Sequence, residues 1–226
     1  MANPVILVHG WGGSFRETWQ KPGWEALLND GGRDVIGVDL LGHGTSAKPH
    51  DEASYADLTG SILDRVAGHE QIDAIGFSLG AMTLLELACR RPQLFGRLVL
   101  CGIGDNVFRP ESAKDTIVPA LRGEPTDNVT AQLFVQYAEQ PGNDKAALTA
   151  CMTADRPAIT KERLAAVTGP VLVIIGDKDL AGPGDPLTGA LPNARLITLR
   201  NVDHFATTEA FGAIDAALEF LGALPR

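Results

Sequence analysis

A chain of 226 residues with 45% hydrophobic and 21% charged residues has the length and balance of one large α/β domain. A formal net charge of −9 at pH 7, with no Lys/Arg cluster, excludes the basic footprint that nucleic-acid binding needs. Three widely spaced cysteines, Cys89, Cys101 and Cys151, with no CxxC among them, exclude a disulfide framework and a zinc site and are expected to be buried thiols.

The chain opens with Met-Ala-Asn-Pro and then the apolar run Val5–Val8, without the basic region or long apolar stretch of a signal peptide. Further short runs follow at Val35–Val38, Ala74–Phe77, Leu98–Cys101, Val171–Ile175 and Leu196–Leu199. Continuous runs of this kind fit strands buried on both faces, as in a parallel sheet, and all are far too short to cross a bilayer. No membrane partner and a cytoplasmic location are therefore expected. Helical patterns lie between the runs. Trp24–Asn29 reads as a short helix. Tyr55–Val66, after Ser54 as a candidate N-cap, places Leu58, Ile62 and Val66 on one stripe. Leu79–Cys89 is apolar nearly throughout and should be buried. Thr207 or Thr208 can cap a last helix with Phe211, Ile214, Leu218 and Leu221 on its inner face.

From Asp105 to Thr168 the alternation of strand and helix breaks down. No strand is expected there. Val129–Ala138 and Asp144–Met152 look helical, with Pro110, Pro119, Pro125, Pro141 and Pro157 as punctuation. The expected organisation is a core of residues 1–104 and 169–226, with a helical cap at 105–168 over the carboxyl ends of the strands.

The residues that carry chemistry sit in the loops after these strands. Gly76-Phe77-Ser78-Leu79-Gly80 follows one strand and opens a helix. A serine on so sharp a turn presents its oxygen at the sheet edge, beside the first free N–H groups of the helix. A hydroxyl nucleophile needs a base, and His204, in the loop after the last strand, lies at the same edge. His9 and His43, in Gly-rich loops after the first two strands, stay open by position, whereas His50 and His69 sit in polar surroundings. The base needs a carboxylate to fix its tautomer. Asp179, standing out on the loop Gly176-Asp177-Lys178-Asp179, is preferred; Asp177 and Asp105 remain alternatives. An oxyanion needs preorganised donors, for which the Leu79 N–H and the Trp11 N–H of His9-Gly10-Trp11-Gly12-Gly13 are the candidates. That loop carries neither GxGxxG nor GxxxxGK, which speaks against nucleotide binding. No cofactor and no metal are called for. Trp11, Phe15, Trp19, Phe108 and Phe205 are candidates to line an apolar pocket.

Five pieces together resemble the α/β-hydrolase superfamily, and in particular its small bacterial serine esterase-like members. They are Val8–Gly13, Asp39-Leu40-Leu41-Gly42-His43-Gly44-Thr45-Ser46, Gly76–Gly80, Gly176–Asp179 and Asp203-His204-Phe205, which span almost the whole chain in order. The resemblance implies the α/β-hydrolase fold: about six mostly parallel strands flanked by helices, with a short helical cap. It implies that the Asp39–Ser46 stretch shapes the pocket floor. It also implies a serine hydrolase acting on a small-molecule ester or lactone through an acyl-enzyme. Thioesterases and C–C bond hydrolases with the same triad, or a non-catalytic ligand-binding member, are the alternatives; only measurement separates them.

Overall fold

The computed structural model describes residues 2–109 and 111–224, so Met1, Pro110, Pro225 and Arg226 lie outside the described residues. Each apolar run forms a strand: β1 (Val5–Val8), β2 (Val35–Val38), β3 (Ile72–Phe77), β4 (Phe95–Cys101), β5 (Val171–Gly176) and β6 (Ala194–Leu199). They form a six-stranded sheet in the order β2-β1-β3-β4-β5-β6, and every pairing is parallel. Along each inner strand, side chains alternate between two cores. Ile6, Val8, Ala74, Leu98 and Val173 face one, while Val5, Leu7, Ile75, Val99 and Ile174 face the other. Both faces are covered, so both sets of positions must be apolar, and alternation disappears from the sequence.

Helices α1 (Trp24–Asp30) and α9 (Phe211–Leu221) cover one face. Helices α2 (Thr59–Arg65) and α3 (Leu79–Arg90) cover the other. Two of these differ from expectation at their starts. Residues 55–66 do not form one helix: Glu52–Tyr55 is a 3-10 turn, and α2 begins only at Thr59. Acidic side chains decide this. Ser54 donates its N–H to the Asp51 carboxylate instead of capping a helix, and Asp57 accepts from the Thr59 N–H and hydroxyl. The stripe itself holds, with Leu58, Ile62 and Val66 all buried. Neither Thr207 nor Thr208 caps α9. Both lie in a 3-10 turn, the helix starts after Ala210, and Phe211 at its first position is 84% exposed.

Between β4 and β5 the described residues contain no strand. They form α4 (Glu111–Leu121), α5 (Val129–Ala138), α6 (Lys145–Thr153) and the short α7 (Lys161–Leu164). Asn128 and Asp144 cap α5 and α6, each accepting an N–H three residues on. Helix α4 escaped the sequence reading because Pro119, expected to punctuate the chain, lies inside it. A further short helix, α8 (Asp185–Thr188), links β5 to β6. Cys101 and Cys151 are buried and Cys89 is half-buried, all as free thiols; burial pushes the Cys101 thiol up to about 12 and Cys151 to about 11.

Candidate active site

A parallel sheet delivers the carboxyl ends of all its strands to one edge, and the site is assembled there. Ser78 joins β3 to α3 with φ 50° and ψ −114°, a backbone region that side chains rarely occupy. The flanking glycines make the turn possible. A Cβ on Gly76 would lie 2.7 Å from the Ala81 nitrogen, and one on Gly80 would strike the carbonyl oxygens of Val8 and His9. The helix can therefore start directly against β1 only where these side chains are missing.

His204, after β6, places Nε2 2.9 Å from the Ser78 Oγ and Nδ1 2.8 Å from the Asp179 Oδ1. An ionised carboxylate only accepts, so Nδ1 carries the proton and Nε2 is left to accept from the serine hydroxyl. Asp179 also accepts from the Ala181 N–H at 2.8 Å, which fixes the carboxylate in its loop. Both members are nearly enclosed, with His204 5% and Asp179 8% exposed. The imidazole lies between Phe77, 5.0 Å away and tilted, and Phe205, 5.6 Å away and edge-on.

The other candidates fall elsewhere. Asp177 accepts from the Asn201 N–H at 2.7 Å and so ties two loops together. Asp105 pairs with Arg109. His9 is fully buried; its Nε2 accepts the Leu40 N–H and its Nδ1 meets the Gly10 carbonyl at 2.7 Å, so the neutral ring is consumed in holding backbone. Burial lowers its pKa. His43, with its ring 5.1 Å from that of His9, is likewise buried, and its pKa is driven down to about 3. His50 is exposed and bonds Asp144, and His69 is exposed.

None of the residues 39–46, expected to shape a pocket floor, lines the cavity beside Ser78. The stretch lies behind the loop that follows β1, where the Asp39 carboxylate accepts from the Phe15 and Thr45 N–H groups and the Thr45 hydroxyl. Burial opposes the charge, but these donors outweigh it and hold the carboxyl below its usual range.

A narrow cavity of about 20 Å3 adjoins Ser78, lined by Gly10, Trp11, Gly13, Thr18, Phe77, Phe134, Tyr137, His204 and Phe205. Among these there is no Lys, Arg, Asp or Glu. Trp11 and Phe205 are where the sequence reading put them, but three of its aromatics are not. Phe15 lies against Gly37, Trp19 is fully buried edge-on to Trp24, and Phe108 lies beneath Lys161. Phe77, Phe134 and Tyr137 take their place. Phe134 and Tyr137 stand three apart on α5, a spacing that puts them on one helix face and was available in the sequence. Among the described residues no acceptor meets the Trp11 backbone N–H. Leu79 opens α3, so its N–H has no carbonyl one turn back.

The model of the alpha/beta hydrolase family matches residues 5–216. A pimeloyl-[acyl-carrier protein] methyl ester esterase of Neisseria meningitidis is 26% identical over 251 aligned positions, covering 93% of this chain and 91% of the relative. Two solved structures share the fold. A thermophilic esterase from Thermogutta terrifontis superposes with a TM-score of 0.71 at 20% identity, over 100% of this chain and 92% of its own. The enol-lactonase from Burkholderia xenovorans LB400 gives 0.68 at 22% identity, over 98% and 92%.

Proposed function

The chain belongs to the alpha/beta hydrolase family, and from that membership we propose that it is a serine hydrolase cleaving a small carboxylic ester or lactone. The observation that carries this reading is the unbroken line of hydrogen bonds from Asp179 through His204 to Ser78. His204 Nε2 takes the Ser78 proton as Oγ attacks the carbonyl carbon. The negative oxygen that forms is held by the Trp11 and Leu79 N–H groups, which are unspent within the protein and face no reorganisation. His204 then gives its proton to the leaving oxygen, and an acyl-Ser78 ester remains. Water attacks that ester by the same route, with Asp179 holding the imidazolium in place. The helices between β4 and β5 act as a cap, since α5 supplies Phe134 and Tyr137 to the cavity wall. The names of the relatives fit ester and lactone bonds alike.

The test is hydrolysis of p-nitrophenyl esters from acetate to decanoate by the wild type and by Ser78→Ala. The expected result is a burst followed by turnover in the wild type and neither in the variant. Full activity of Ser78→Ala would refute the proposal.

A further inference from the structure

The loop after β1 is built on Gly10, Gly12 at φ +73° and Gly13, and has little means of holding its own shape. Its core side is pinned at the Gly10 carbonyl by His9 and by the Gly13 N–H. Its outer side is pinned by the helices between β4 and β5. The Trp11 indole N–H donates to the Leu148 carbonyl in α6 at 3.0 Å, and its ring stacks on Phe134 of α5 at 5.2 Å. The Tyr137 ring fills the space where a Cβ of Gly12 would stand. Asn143, in the turn between α5 and α6, spends both amide hydrogens on carbonyls, that of Gly12 at 2.8 Å and that of Tyr137 at 2.9 Å.

Trp11 thus lies between two anchored carbonyls, one held from the sheet and one by a single side chain of the cap. We propose that Asn143 is a positioning residue for the oxyanion hole: by fixing the Gly12 carbonyl to the end of α5 it holds the Gly12–Gly13 peptide, whose N–H bonds the Gly10 carbonyl and so helps set the peptide plane that carries the Trp11 N–H. This rests on the reading of the Trp11 amide as an oxyanion donor. It makes the cap a builder of the site as well as its cover. The same amide bonds the helix end that walls the cavity and the loop that stabilises the intermediate. Displacement of the α5–α6 turn therefore opens the cavity and misaims the donor together.

The test uses Asn143→Ala, Asn143→Asp, which keeps the size but loses the donor hydrogens, and Trp11→Phe, which keeps the stack but loses the bond to Leu148. Each is measured for kcat and KM on p-nitrophenyl acetate, for the rate of Ser78 labelling by a fluorophosphonate, and for Tm. A misplaced donor is felt only as charge develops. The expected result is a fall of about tenfold to a hundredfold in kcat and in labelling rate, with KM changed by less than about twofold. Wild-type kcat and labelling rates in the folded variants, or a change confined to KM, would overturn the proposal. Should Asn143→Ala not fold, the isosteric Asp variant decides it. A wild type that labels at Ser78 but cleaves no ester refutes the ester reading alone, and the labelling ratio still judges Asn143. A wild type that does not label refutes both.

Discussion

Replacing Ser78 by glycine should leave the protein more stable than replacing it by alanine, the reverse of the usual order. Both substitutions remove the hydroxyl and its 2.9 Å bond to His204, so that loss cancels in the comparison. What differs is the Cβ at φ 50°, ψ −114°. A side chain held in such a region costs about 1–3 kcal/mol. Glycine recovers this but loses about 0.5–1 kcal/mol through the greater freedom of its unfolded chain. The balance is about 1 kcal/mol in favour of Ser78→Gly, or a Tm higher by about 2–4 °C in a domain of this size. Urea unfolding of the two variants at pH 7 reads the difference directly. An alanine variant more stable than the glycine one by about 0.5 kcal/mol or more would match an unstrained position and refute the reasoning.

Asp179→Asn should lower kcat by about a thousandfold or more with the fold intact, because the amide favours the wrong tautomer of His204; Asp177→Asn should keep most activity, and the opposite pattern in steady-state kinetics would reassign the carboxylate. His43 has a folded pKa of about 3, below its free value of 6.5. The unfolded chain therefore takes up a proton that the folded one refuses, and stability falls as pH falls from 6.5 towards 3, by up to about 1.4 kcal/mol per pH unit. His43→Asn should flatten that limb in urea midpoints taken between pH 6.5 and 4.5, with His9 supplying the slope that remains; parallel curves would contradict this. Asp73→Ala should cost about 3–5 kcal/mol in chemical denaturation, since it strands the buried Arg33 guanidinium that Asp73 neutralises; a loss under about 1 kcal/mol would show that the carbonyls of Asn3 and Leu221 suffice for Arg33.

The strands and the positions of the candidate triad were legible because each obeys a local rule. A strand buried on both faces is an unbroken apolar run, and Ser78, Asp179 and His204 each lie in the turn or loop that follows such a run. The pocket was harder, because an aromatic ring serves a core and a cavity equally well. Trp19 and Phe134 look alike in sequence, and what separates them is that α5 is folded across the sheet edge while Trp19 is covered by Trp24. Helix starts were misplaced where a short acidic side chain captured a nearby N–H, as Asp51 and Asp57 do ahead of α2. The roles of the two loop histidines, His9 and His43, were not legible in the sequence, since they depend on Leu40, Leu41 and Gly10, backbone groups whose proximity comes from the turn of the chain.

The bond between His204 and Ser78 joins residues 126 positions apart, across a sheet whose pairings are all parallel. Contacts that distant close only after the chain between them has been ordered, and parallel sheets order slowly. The complete line from Asp179 through His204 to Ser78 exists in neither half of this chain, because its three members follow the third, fifth and sixth strands. On the proposed reading, hydrolysis should return during renaturation no earlier than β6 docks on β5 and brings His204 to Ser78.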